Sequence, residues 1–225
     1  VSVEKLPDGK LGIVTPEKEL RAQVKDLVMR RGTVGFFEVA TEEETAAAIK
    51  TLEQNPEFHG RLTPLLSGPD RQESLPIAED NYDRVAVVIA EIGKKPELLP
   101  KDMVLMVTPK EAYPGLYLVH KVSPMSSVTA VLAKATPPIA EPGGNATVIL
   151  QLSDADGKKF GEFSQGLIGK PLAIVVDGAL KSVPKVRSRI TNSVQITGNF
   201  TPEEAENIAA ALWSGSLPAP LAEVK

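Results

Sequence analysis

Five consecutive apolar residues, Leu172 to Val176, run directly into Asp177-Gly178. An unbroken apolar run of that length is the pattern of a strand buried on both faces. Asp-Gly immediately after it signals a tight hairpin turn. The last helix is as plainly marked. Thr201 supplies an N-cap, Pro202 the first turn and Glu204 a capping box. Ala205, Ile208, Ala209 and Leu212 then recur along one face, and Gly215 is a stop.

The N-terminal part reads as strand, helix, strand. Val1–Glu4 and Leu11–Val14 are β-prone runs around the turn Pro7-Asp8-Gly9. Thr15-Pro16 caps a helix predicted over Glu17–Arg30, with Leu20, Val24, Leu27 and Val28 on its apolar face. Thr33–Val39 is a strand, and Thr41 with Glu44 forms a capping box for a second helix that turns Ala48, Ile49 and Leu52 inward. Asn55–Asp80 holds four prolines and two glycines without sustained periodicity, which predicts a long loop in which His59 is solvated.

Tyr82–Ile92 fits helix or strand. Met103–Val107 and Leu116–Val122 are predicted strands, and Ser126–Lys134 is a helix with Val128, Val131 and Leu132 inward. A Pro/Gly loop follows over Thr136–Asn145, then a strand at Thr147–Leu152, a turn at Asp154–Gly157, a helix over Lys159–Gln165 and a short strand at Val194–Thr197. Helices mixed with antiparallel hairpins place the chain in the α+β class.

Composition removes whole classes of function. The chain has 225 residues with 25 Lys and Arg against 29 Asp and Glu, no basic stripe, and hence no nucleic-acid partner. Without cysteine there is no disulfide framework, zinc finger, iron–sulfur cluster or thiol catalyst. No stretch approaches the roughly 20 apolar residues of a membrane span. The 17 glycines and 19 prolines fall short of the roughly 25–30% share of low-complexity chains. Val1 stands where an initiator Met or a signal peptide would begin, as expected of a mature or excised piece.

Motifs for chemistry fail in turn. Gly169-Lys170 lacks the Ser or Thr and the upstream glycine of a phosphate loop, because Pro171 follows it. Asp154 and Asp156 lack the glycine and terminal Glu of a calcium loop. His59 and His120 have no metal or relay spacing, and His120 is expected at a surface or edge. The carboxylates of Glu42-Glu43-Glu44 and Glu203-Glu204 fall in first helical turns, where they complement the helix dipole. Asp177 reads as a turn corner rather than an acid catalyst. No catalytic residue, metal site or cofactor is implied.

The C-terminal third carries a resemblance. Gly169-Lys170-Pro171-Leu172-Ala173-Ile174-Val175-Val176-Asp177-Gly178 resembles a stretch of the SecD/SecDF protein-export family, and Ser182-x-Pro184 follows at that family's spacing. Gln195-Ile196-Thr197-Gly198-Asn199-Phe200-Thr201, then Glu203-Glu204-Ala205, then Ser214-Gly215-Ser216-Leu217-Pro218-Ala219-Pro220 come in the family's order. Leu20–Val39 and Thr147–Phe160 are similar to family segments, and Leu99–Asp102 with Leu116–His120 looks like Bacteroidetes-type members.

The resemblance implies the first large periplasmic domain of SecD: a ferredoxin-like base formed from both chain ends with an inserted α+β head. On that pattern residues 1–54 and 81–122 belong to the base, with the Pro/Gly-rich loop 55–80 between them. Residues 123–213 are the head, and 214–225 the hinge and return to the base. The implied role is non-catalytic: the head holds unfolded preprotein emerging from the Sec translocon, whose components are further candidate partners. Localisation is then periplasmic or extracytoplasmic, with membrane attachment outside these residues. Gly169, Lys170, Asp177, Gly178, Pro184, Thr197, Gly198, Phe200, Gly215 and Pro218 are the signature positions, structural or in contact with polypeptide.

Departures from the family pattern are Thr191-Asn192-Ser193 in place of a Gly-rich run, Trp213 in place of a basic residue, Leu167 in place of Asn, and Met125-Ser126-Ser127 in place of a glycine-containing turn. The family's proton-conducting membrane helices have no counterpart in these residues. A stand-alone secreted or lipid-anchored module that keeps the fold and binds another protein or a glycan is the alternative. An enzyme would need titratable groups converging around Asp177.

Overall fold

The computed structural model describes residues 2–5, 11–14, 33–67, 75–110, 114–128, 130–136 and 145–214. Strands β1 (Ser2–Lys5) and β2 (Leu11–Val14) pair antiparallel, as their composition predicts. The turn at Pro7-Asp8-Gly9 and the helix predicted over Glu17–Arg30 lie outside the described residues, as do the loop core at 137–144, Gly215 and Pro218.

Strand β3 (Val34–Glu38) leads into α1 (Glu42–Gln54). The capping box at its start is complete: the Thr41 N–H donates to Glu44 Oε2 at 2.8 Å, and the Glu44 N–H donates to Thr41 Oγ1 at 3.2 Å. Two backbone donors that a helix start leaves open are thereby satisfied. Ala48 and Leu52 are buried beneath it.

The long loop predicted over Asn55–Asp80 is corrected in its described parts, 55–67 and 75–80. Phe58, Leu62, Leu65 and Ile77 are buried there, Thr63–Leu65 and Glu79–Asn81 are 3-10 turns, and Leu75–Pro76 is a two-residue strand, β4. Prolines abolish periodicity without abolishing burial, so each apolar side chain is set singly and no repeat betrays it.

Tyr82–Ile92 is helix α2, burying Val85, Val88 and Ile92 at helical spacing. Strands β5 (Met103–Val107) and β6 (Gly115–His120) pair antiparallel, with β4 on the other side of β6.

Residues 130–136 form strand β7 (Ala130–Thr136), not the C-terminal part of a helix over Ser126–Lys134. Val131 and Leu132, placed inward by the helical reading, are exposed, whereas Val128 is buried. Alanines at 130, 133 and 135 favour a helix in isolation. Pairing with β8 (Ala146–Leu152) overrides that preference over six registered positions.

Helix α3 (Asp154–Gln165) begins at Asp154 rather than Lys159: the predicted turn Asp154–Gly157 is its first helical turn, capped by Ser153, whose Oγ accepts the Asp156 N–H at 3.1 Å. Strands β9 (Leu172–Val176) and β10 (Ala179–Ser182) form the predicted hairpin. Strand β11 (Ser193–Phe200) is longer than predicted and pairs with β8, and α4 (Pro202–Ser214) closes the described chain.

The fold is α+β with antiparallel sheets, ordered β10-β9-β3, β11-β8-β7 and β4-β6-β5 beside the β1-β2 pair. Strand β9 explains its own sequence. Leu172, Ile174 and Val176 enter a core shared with Val34, Phe36, Phe160 and residues out to Leu212. Ala173 and Val175, on the opposite face, meet Val119 and Leu180. Each alternate set thus has its own apolar partner. A further core spans Ala40 to Leu118 around Phe58, Val85 and Ile92.

Strand β3 lies within the residues predicted for the base, yet hydrogen-bonds along its length to β9, within those predicted for the head. Its far edge is closed by the segment after β6. The Phe36 N–H donates to Met125 O at 2.9 Å, the Val128 N–H to Val34 O at 3.0 Å, and the Ser123 hydroxyl to Phe36 O at 2.5 Å.

Candidate functional site

The signature residues fall in three places. At the start of β9, Gly169 and Lys170 lie against the segment after β10 that bears Pro184. The Gly169 N–H donates to Val186 O at 2.8 Å, the Val186 N–H to Lys170 O at 2.9 Å and the Leu172 N–H to Pro184 O at 2.9 Å. Gly169 has φ +85°, a left-handed conformation open to glycine at no steric cost.

At the far end of β9, about 17 Å along the strand at roughly 3.3 Å per residue, Asp177 (φ 50°) and Gly178 (φ 80°) make the hairpin turn. Positive φ at both central residues matches the right-handed twist of the flanking strands. Asp177 also closes the sheet: its Oδ1 accepts the Thr33 N–H at 2.9 Å and the Thr33 hydroxyl at 3.3 Å, while its own N–H donates to Thr33 O at 3.0 Å.

Thr197, Gly198 and Phe200 lie on β11 in another sheet, at a register shift opposite Thr147 and Ala146. Phe200 is buried in the core that holds Phe160. The described signature positions therefore fall into three separate groups, two at the ends of β9 and one on β11.

Among the described residues no cluster of three His, Cys, Asp or Glu side chains is spaced to hold a metal. The His59 side chain is 77% exposed, its Nδ1 2.8 Å from Glu53 O. His120 ends β6 partly buried, with Nε2 3.9 Å from Glu44 Oε2. No described helix is long and apolar enough to cross a membrane.

Two carboxylates are held below the usual range, both for structural reasons. Glu44 is lowered chiefly by the Thr41 backbone N–H. Glu53 is lowered first by the Thr63 hydroxyl, then by the Gly60 N–H at 2.8 Å, with partial burial opposing. Glu53 so fastens the segment after α1 back onto that helix. A depressed folded-state pKa contributes stability that is present above the ordinary value of 4.5 and is lost as pH falls through the folded value. Accordingly, wild-type protein should lose stability as pH falls below the ordinary glutamate value of 4.5, and Glu53→Gln should lose measurably less over the same interval. Urea midpoints of both proteins across the interval check it, and parallel curves would contradict it.

The surface feature that sequence reasoning missed is the edge of β7. Val131 is 61% and Leu132 36% exposed, side by side on a strand that has β8 on one side only. Three further large apolar residues among those described, Val87, Val122 and Ile168, are exposed singly. The Val and Thr residues at 128, 129 and 131 are the available strand signal, masked by the alanines at 130, 133 and 135.

Comparison with known proteins places these features in context. The family model described as SecDF, P1 head subdomain, matches residues 106–219. The protein translocase subunit SecD of Aquifex aeolicus (strain VF5) is 47% identical over 78 residues, covering 35% of this chain and 16% of that protein. SecD of Elusimicrobium minutum (strain Pei191) is 34% identical over 143 residues, 64% of this chain and 28% of that protein. The chain thus spans less than a third of the length of these two relatives, which come from phyla other than the Bacteroidetes. A solved structure of a membrane component SecDF that enhances protein export matches all of this chain and 83% of that one, at TM-score 0.50 and 22% identity. That likeness concerns the fold.

Proposed function

The chain belongs to the SecDF P1 head-subdomain family, and on that premise we propose that it is an extracytoplasmic part of a Sec protein-export complex that holds unfolded preprotein without catalysing a reaction. The observation that carries this reading is the family match across residues 106–219. The scatter of its signature residues over two sheets supports a binding role, since catalysis needs groups within reach of one reacting atom.

In this reading residues 123–213 form the head, and 1–54 with 81–122 form a ferredoxin-like base. The core that holds Met125 through Leu212 also takes in Val34 and Phe36 of β3, so in this reading the head packs around one strand of the base. Residues 214–225 serve as the hinge, and translocon components are the neighbours. Gly169, Lys170, Asp177, Gly178, Pro184, Thr197, Gly198 and Phe200 act by shaping strands that face the passing chain.

The test uses a reduced and alkylated polypeptide that cannot fold, with its native form as control, each labelled and titrated with this protein. Preferential binding of the unfolded form, by anisotropy and cross-linking, is the expected result. Equal binding of both forms, or none, overturns the reading.

A further inference from the structure

Resting on the export reading above, we propose that the basic band joining α3 to the start of β9 takes acidic stretches of the captured polypeptide. Between Gly157 and Thr191 the chain carries seven Lys and Arg against two carboxylates, Glu162 and Asp177, although its net charge is −4. Folding concentrates part of that excess. The Val186 N–H donates to Lys170 O at 2.9 Å and Lys185 bridges Pro171, so Lys170 meets the segment bearing Lys185, Arg187 and Arg189. Those last three lie within about 14 Å of chain, at roughly 3.3–3.6 Å per residue. All four residues are exposed. Lys170, Arg187 and Arg189 have no carboxylate partner among the described residues.

Backbone contacts hold the band in place. The Gly169 N–H donates to Val186 O at 2.8 Å, and Val186 is buried between exposed Lys185 and Arg187. Beyond Arg189, Ser164 Oγ on α3 accepts the Ile190 N–H at 2.9 Å and donates to Ile190 O at 3.2 Å. Gly161, one turn back on α3, leaves room for the Arg189 guanidinium: a Cβ there would lie 2.9 Å from its Nε. Anchors on both sides thus present Arg187 and Arg189 at fixed positions, which lowers the ordering cost of binding. Nearby carboxylates are already engaged: Asp156 with Lys159 at 4.0 Å, Asp154 with the Asn192 amide at 3.0 Å, and Asp177 with Thr33. Glu162 stands exposed on α3.

Charge and surroundings select the occupant. An anion complements the band, and the export reading supplies an unfolded polypeptide whose carboxylates are free to meet it. A nucleic acid would want aromatic faces for its bases, but Phe160 is buried and Phe163 packs against the same core. A membrane surface would want an apolar face beside the cations. Ile168, 45% exposed, is the one exposed large apolar residue between Gly157 and Thr191. Exposed ion pairs are individually weak, so the band grips by several at once and releases readily. It discriminates by charge, which suits a protein that must hold many different sequences.

The experiment titrates the full chain with labelled unstructured peptides of one sequence that carry Glu, Gln or Lys at the same spaced positions, and reads anisotropy. The Glu peptide should bind about tenfold more tightly than the Gln peptide at low salt, and the Lys peptide most weakly. That preference should vanish as salt approaches about 0.5 M. Lys170→Gln with Arg187→Gln and Arg189→Gln should abolish it. Lys50→Gln with Lys94→Gln and Lys121→Gln, which removes the same charge from exposed sites elsewhere, should leave it intact. Should circular dichroism show the first variant unfolded, the three substitutions are made singly; a partial loss in each is expected, and a loss in none overturns the proposal. Equal loss in both triple variants also overturns it, because net charge and not the band then sets the preference. Equal binding of the three peptides, alongside preferential binding of the reduced and alkylated polypeptide, overturns the band and leaves the export reading intact. No binding of any peptide or of that polypeptide removes both. Tighter binding of phosphatidylglycerol vesicles or single-stranded DNA than of the Glu peptide, lost in the first variant, overturns the proposal too, because the band then serves another polyanion.

Discussion

Phe160→Ala should lower the unfolding free energy by about 3–5 kcal/mol. Phe160 is fully buried on α3, and its ring lies 4.5 Å from that of Phe36 on β3, tilted by 35°. Phe163 approaches from the next turn at 6.3 Å. The loss therefore combines transfer of a large side chain, the cavity it leaves, and a ring pair worth about 0.5–1.5 kcal/mol beyond its area. Against a typical total of about 5–15 kcal/mol, that is a large fraction.

The site is costly for a further reason. It joins α3 to the β3–β9 pair, so a void there loosens the sheet that carries Asp177 and Gly178. Urea unfolding monitored through Trp213, the single tryptophan, checks the prediction. A shift below about 1 kcal/mol would mean that the ring is not packed as described.

Phe58→Ala is expected to cost a similar amount, about 3–5 kcal/mol. Were residues 55–80 an open loop, it would cost almost nothing, so the outcome is decisive. Phe58 is buried with Leu52, Leu62 and Ile92, and the charged ends of Arg61 and Lys95 lie 5.5 and 5.8 Å from its ring centre. Both cations are also paired, Arg61 with Glu91 at 2.7 Å and Lys95 with Glu57. These exposed ion pairs contribute little by themselves. They keep two aliphatic stems laid over the ring.

Because Phe58 and Phe160 belong to different cores, hydrogen exchange should separate the two variants. Phe58→Ala should raise exchange first over residues 42–67 and 82–105. Phe160→Ala should do so over 146–165 and 172–200. Uniform loss of protection in both would show that the cores open only together.

Much of the candidate site was legible before folding was considered. The Asp177-Gly178 turn was readable because a two-residue hairpin turn has few chemical solutions. The capping box at Thr41 and Glu44 was readable because both partners lie three residues apart. Family membership rested on linked motifs that are contiguous in sequence. The β7 edge was not legible. Its alanines favour a helix, and the partner that makes it a strand lies beyond the loop after Thr136. Nor does any local pattern distinguish a strand edge that is covered, as at β3, from one that no described strand pairs with.

The sequence by itself determined the elements whose signals are local: the buried run of β9, its turn, the cap of α1 and the apolar face of α4. These depend on steric and hydrogen-bonding choices made within a few residues, which the side chains specify directly. Only the tertiary structure decided that β3 joins β9, that Phe58 plugs a second core, and that β7 is an edge strand with two apolar side chains in solvent. Those outcomes depend on burial against residues tens of positions away. A chain's local preferences, worth at most about 1 kcal/mol per residue, yield when such burial outweighs them.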